Sequence, residues 1–140
     1  MSRIFWDTNL FVYLLEGQGD RTERVADLRQ RMLEREDVLL TSALTLGEVL
    51  VKPLESGNEA LARRYEELVT TGATVVPFDL SVAPRFAAIR QDRSIRAPDA
   101  IQLACASLAR TDLFITNDDR LSRKNVEGIQ FIQSLDVAAL

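Results

Sequence analysis

Hydrophobic and polar positions alternate along this chain between short apolar runs and longer stretches of helical period. The runs at 3–6 (RIFW), 38–40 (VLL), 74–78 (TVVPF) and 113–116 (LFIT) are β-prone and too short for helices. Residues 130–132 add a fifth candidate strand at the sheet's edge. Helices are predicted between the runs. A short one covers 10–15 and is halted by Gly17 and Gly19. Val25, Leu28, Met32 and Leu33 mark a surface helix over 21–36, whose Arg21, Arg24, Arg29, Arg31 and Arg35 read as a solvated face. Another begins near Ala43 behind the cap candidates Thr41 and Ser42, with a kink or break expected at Pro53, which cannot donate to the Val49 carbonyl. Leu61, Tyr65 and Leu68 place a helix over 59–69 with Gly72 as its C-cap. Phe86 and Ile89 point inward from one over 82–93, with Pro84 in its first turn. The last helix opens at Pro98 and Asp99 and turns Ile101, Ala104, Cys105 and Leu108 to one face.

Strands alternating with helices imply an α/β fold: one domain over residues 1–140, with a mostly parallel four- to five-stranded sheet and helices on both faces. Such sheets bind ligands in the crevice beyond their strands' C-terminal ends. Asp7 follows the first strand directly, and Asp118 follows the fourth. Asp99 joins them if its helix returns beside the first strand.

Composition narrows the chemistry. At 140 residues one core and one crevice are expected, and 46% hydrophobic with 27% charged residues is ordinary for a soluble protein. No apolar run approaches a membrane span, Met1 leads straight into a strand without an export signal, and the one cysteine excludes an internal disulfide. The cytoplasm is the expected compartment. Cys105 reads as a packed core residue. The net charge of −4 argues against holding nucleic acid by an overall positive field, though not against a local basic track. The chain has no histidine, which removes the usual general base and the usual zinc ligand. Hydrolysis would fall to carboxylates.

Four acids carry that possibility: Asp7, Glu48, Asp99 and Asp118. Singly each has a plain reading. Asp7 and Asp118 read as turn or cap residues, and Asp99 as a first-turn partner of the helix dipole. Glu48, flanked by Leu44, Val49 and Leu50, would need a partner such as an arginine if buried. Together they would repel one another in one crevice and need neutralising, which suits Mg²⁺ or Mn²⁺, hard cations that prefer oxygen ligands. Water acidified by such a metal is a nucleophile, and a second ion can stabilise the leaving oxygen.

The strings Asp7-Thr8-Asn9, Leu46-Gly47-Glu48-Val49, Pro98-Asp99-Ala100 and Thr116-Asn117-Asp118, in this order and spacing, resemble the PIN domain, particularly VapC-type toxins of type II toxin-antitoxin pairs. The resemblance runs from Ile4 to about Ile132. It implies a Mg²⁺- or Mn²⁺-dependent endoribonuclease whose acidic quartet is Asp7, Glu48, Asp99 and Asp118. It matches Thr116 to a polar residue beside the fourth acid and Asn9 to an asparagine near the first. Chemistry and resemblance together favour Asp7 and Asp99 as direct metal ligands, with Glu48 and Asp118 acting partly through bound water. Thr116 would orient water or a phosphate oxygen, and Asn9 would tether an acid. Asp119 competes with Asp118 for the fourth place, but the T-x-D pattern favours Asp118.

Arg85, Arg90, Arg93 and Arg96, with Arg120, Arg123 and Lys124, flank the expected crevice; Arg93, Arg96 and Arg120 are candidate phosphate contacts, set against a reading as solvated or ion-paired residues. Trp6, Phe11 and Tyr13 read as core rather than base-stacking residues. The resemblance further implies an RNA substrate, a homodimer, and a small cognate VapB-type antitoxin presenting an arginine to the carboxylates. Apolar residues of 10–15 and 44–54 are candidates for its groove or for the dimer face. Two other classes remain: a PIN-like scaffold that binds RNA or protein without cutting, and a receiver-like signalling domain. The second wants a lysine at a strand's end, and Lys52 and Lys124 are poorly placed for it.

Overall fold

Strand β1 (Arg3–Trp6) is the axis of the molecule, because Ile4, Phe5 and Trp6 are all fully buried. A strand apolar at successive positions must be covered on both faces, which is the condition of a parallel sheet packed between helices. The computed structural model describes residues 1–17, 19–138 and 140. Its sheet has the order β3-β2-β1-β4-β5, with every pairing parallel. The remaining strands are β2 (Val38–Ser42), β3 (Thr74–Val76), β4 (Thr111–Thr116) and β5 (Ile129–Ser134).

Alternation along β1 splits the core in two. Phe5 points to one face, stacks on Phe114 with ring centroids 5.1 Å apart, and is covered by α5 (Ala83–Ile89) and α6 (Ala97–Leu108). Ile4 and Trp6 point to the other face, against residues of α1 (Thr8–Glu16), α2 (Asp20–Arg35), α3 (Ala43–Glu55) and α4 (Glu59–Gly72). Burying each large side chain contributes about 1.5–3 kcal/mol, so these two layers supply most of the driving force. Register is set by the same residues, Ile4 lying beside Leu39 of β2 and Leu113 of β4.

Several elements differ from the sequence reading. Helix α3 runs through Pro53 to Glu55, because the missing N–H falls in the last turn and costs one bond at the helix's end. Strand β3 stops at Val76, before Pro77. Helix α5 ends at Ile89 rather than 93; beyond it the Asp92 carboxylate accepts from the Ser94 backbone at 3.0 Å and from the Ser94 hydroxyl at 2.6 Å, a local turn that competes with the helix. Helix α4 includes Gly72 and is closed by Ala73. Helix α6 is buried on nearly every side from Ala100 to Ser107, with the start of its first turn and Leu108 exposed, since Ala100, Ala104 and Ala106 let it lie close to the sheet. Leu33 is exposed. The arginines of α2 are also not simply solvated: Arg21 reaches Asn117, Arg24 the Leu135 and Asp136 carbonyls, Arg29 the Gly72 carbonyl, and Arg35 pairs with Asp37. Among the described residues no helix is long and apolar enough to cross a membrane.

Candidate active site

The chain leaves β1 toward β2 on one side and meets β4 on the other, so the sheet's switch point lies between the C-terminal ends of β1 and β4. The Asp7 backbone N–H continues that pairing, donating to the Ile115 carbonyl at 3.1 Å. Asp7 then caps α1: one carboxylate oxygen accepts from the Thr8 backbone at 2.7 Å and the other from the Thr116 hydroxyl at 2.9 Å. Thr116 Oγ1 in turn accepts the Asp118 backbone N–H at 3.1 Å, linking the first acid to the fourth. Its hydroxyl proton is therefore committed to Asp7, not aimed at water or phosphate.

Asp7, Asn9, Glu48, Arg96 and Asp99 line one crevice of about 280 Å³, with Thr8 and Gln102 among its walls. Burial pushes the Asp7 carboxyl up to about 6, and the charges of Asp99 and Glu48 push the same way, against the hydrogen bonds from Thr116 and Thr8. Asp99, in the first turn of α6, is also raised, first by burial and then by Asp118 and Glu48, while Arg96 and Arg120 pull it down. Arg96 is exposed and 3.8 Å from Asp99, a weak ion pair. Asp118 stands at the rim and is held below the usual carboxylate range by Arg120, whose guanidinium reaches both carboxylate oxygens at 3.2 and 3.0 Å.

Three expectations are corrected. Glu48 is exposed to the crevice rather than buried, so its cost of burial does not arise. The tether expected of Asn9 is made by its neighbour: Thr8 Oγ1 donates to Glu48 Oε1 at 2.7 Å, and among the described residues the Asn9 amide makes no hydrogen bond. Of the three arginines, Arg96 lines the crevice and Arg120 occupies Asp118, while Arg93 lies exposed in the turn before α6 and is not a lining residue. Asp119 is exposed, and Asp118 is not a lining residue of the crevice, its carboxylate being taken up by Arg120. Sequence reasoning missed Gln102. Its amide is 2% exposed and bonded to Ser42, Thr8 and Thr45. Its spacing of three residues from Asp99 was the available signal.

The donors are all oxygens, and neither Asp7 nor Glu48 has an ion-pair partner among the described residues. Oxygen donors that raise one another's charge cost suit a hard divalent cation in kind. The set is not assembled: among the described residues no three acidic, cysteine or histidine side chains stand together closely enough to hold an ion by themselves. Mg²⁺ keeps several waters and tolerates such a sparse set.

No curated protein matches the chain. Solved structures share its fold: a chain of VapBC2 from Rickettsia felis, bound to a DNA fragment from their promoter, is 12% identical with TM-score 0.74, covering 94% of this chain and 98% of that one. A chain of DNA-bound VapBC from Salmonella typhimurium is 20% identical with TM-score 0.72, over 96% and 99%. One of VapBC-5 from Mycobacterium tuberculosis, of the VapBC family of toxin-antitoxin systems, is 21% identical with TM-score 0.63, over 95% and 99%. The family model described as the PIN domain matches residues 4–127, and the chain belongs to the PIN-domain family.

Proposed function

We propose that this chain is the toxin of a VapC-type toxin-antitoxin pair and a Mg²⁺- or Mn²⁺-dependent endoribonuclease. The observation that carries the reading is the gathering of Asp7, Glu48 and Asp99 in one crevice at the sheet's switch point, where burial and neighbouring acids raise the carboxyls of Asp7 and Asp99. Asp7 and Asp99 would hold the cation, with Glu48 and Asp118 completing the site. When bound, the ion supplies positive charge against the reacting phosphodiester and lowers the pKa of water. Thr116 fixes the Asp7 carboxylate and Thr8 that of Glu48, whose second oxygen has no protein partner among the described residues and is available to accept a proton. Arg96, exposed at the rim, would hold a phosphate.

The VapBC assemblies among the structural neighbours support a cognate VapB-type antitoxin as partner. A groove of about 320 Å³ lined by Val12, Leu15, Val49, Val51 and Tyr65 shares Glu48 with the crevice, so a segment lying in it reaches the acids. The receiver-like alternative loses its basis: Lys52 pairs with Glu16 at 3.3 Å and Lys124 with Asp92 at 2.9 Å, neither with an acid of the quartet.

The test is cleavage of cellular RNA by purified chain with Mg²⁺ or Mn²⁺. Asp99→Asn is expected to abolish cleavage while leaving the metal-free protein melting at least as high as wild type, because it relieves a burdened charge. A large loss of metal-free stability would make Asp99 a structural residue, and metal binding without cleavage would leave a non-catalytic PIN module.

A further inference from the structure

We infer that Gln102 is a positioning residue for the Glu48 carboxylate, acting through the Thr8 hydroxyl. The inference rests on the metal-dependent reading above and assigns a role to a residue outside the quartet. A buried amide must satisfy two N–H donors and a carbonyl. Gln102 does so on three different elements: Oε1 accepts from the Ser42 hydroxyl at the end of β2, and Nε2 donates to Thr8 Oγ1 of α1 at 2.9 Å and Thr45 Oγ1 of α3 at 2.8 Å. Each of the crevice acids lies one or three residues from a member of this set. Asp7 adjoins Thr8, Glu48 follows Thr45 by one turn, and Asp99 precedes Gln102 by one turn.

The direction of every proton in the set is determined. A carboxylate only accepts, so the single Thr8 hydroxyl proton goes to Glu48 Oε1 at 2.7 Å. Thr8 and Thr45 oxygens are 3.1 Å apart, and with the Thr8 proton spent, Thr45 is the donor of that pair. All hydrogens therefore run one way, from Ser42, Gln102 and Thr45 toward Glu48. Turning the amide over would reverse this. The Gln102 carbonyl would then face Thr8 and Thr45 and compete with Glu48 for the Thr8 proton. The orientation of one buried amide thus decides whether Thr8 serves the carboxylate, and the charge-assisted bond to Glu48 favours the serving orientation.

The measurement is Mn²⁺ binding to the metal-free chain by titration calorimetry, with melting curves and with kcat and KM on a short RNA. Gln102→Met keeps the volume and removes the donors; Thr8→Val removes the hydroxyl from a partly exposed site, and Thr8→Ser restores it. Gln102→Met and Thr8→Val are expected to raise the Mn²⁺ dissociation constant about 10-fold or more, the usual cost of losing a partner that orients a ligand. Both should lower kcat with KM for RNA unchanged, and Thr8→Ser should recover near wild-type binding. A variant that melts lower yet binds Mn²⁺ as wild type does would overturn the inference and make the network a core device. Should Gln102→Met fail to fold, the Thr8 pair decides alone. Wild type that binds no Mn²⁺ removes the metal reading together with this one, and so differs visibly from failure of the positioning role.

Discussion

Asp7 is the residue at which stability and chemistry pull apart. Its carboxyl is 8% exposed and raised from 3.8 to about 6, chiefly by burial. A carboxyl raised in the folded state favours folding while protonated. That contribution is fully present below about pH 4 and is lost as pH rises through 6. Two units correspond to on the order of 2–3 kcal/mol. The metal-free chain is expected to lose stability across that window, and Asp7→Asn to flatten the loss; melts from pH 4 to 7.5 check both. Arg96 gives a second prediction at this scale. If it contacts one phosphate, Arg96→Ala should weaken RNA binding and reduce the slope of log affinity against log salt by about 0.7, the value for single strands. An unchanged slope would return Arg96 to the weak pair with Asp99. Asp7, Asp99 and Asp118 are legible in sequence because each stands where a pattern changes, at a strand's exit or in a helix's first turn behind proline, whereas Glu48, inside α3, has only its apolar neighbours to mark it. Gln102 is not. An amide inside an alanine-rich helix has the same local signal whether it meets solvent or three hydroxyls, and the difference arises only when α1, β2 and α3 arrive.

Among elements, the turn into β5 is the most constrained. Gly128 has φ +90°, and a Cβ there would come within 2.5 Å of the Ser107 carbonyl oxygen at the end of α6. Gly128→Ala is expected to cost on the order of 2–3 kcal/mol through the clash and the left-handed backbone together. Denaturant melts with an unchanged m-value would confirm it. Strands β1, β2 and β4 follow from their apolar runs, because strands buried on both faces leave no room for polar residues. The length of α5 does not, since its stop depends on an Asp92 carboxylate choosing Ser94 over solvent. The fate of Pro53 depends on how far the helix had left to run.

For the molecule as a whole, the crevice is a site whose charges await compensation. Mg²⁺ or Mn²⁺ is expected to raise the melting temperature by mass action. At a hundredfold excess over its dissociation constant the gain is about 2.7 kcal/mol, or roughly 5–10 °C for a chain of this size. The shift should be larger at pH 7.5 than at pH 5, because below about 6 Asp7 holds its own proton against the metal. No shift at millimolar metal would count against the site.

The pairing of β1 with β4 sets when such a protein begins to work. Asp7 is made early, yet its hydroxyl partner Thr116 lies 109 positions later, on the strand that pairs with β1. A growing chain on the ribosome therefore carries its first acid long before it has anywhere to put it. Until residues 111–116 emerge, β1 has an open edge in place of β4 and Asp7 lacks the hydroxyl that fixes its carboxylate. On the function proposed above, a fragment that stops before β4 is expected to lack nuclease activity, because Asp7 has no Thr116 to hold its carboxylate.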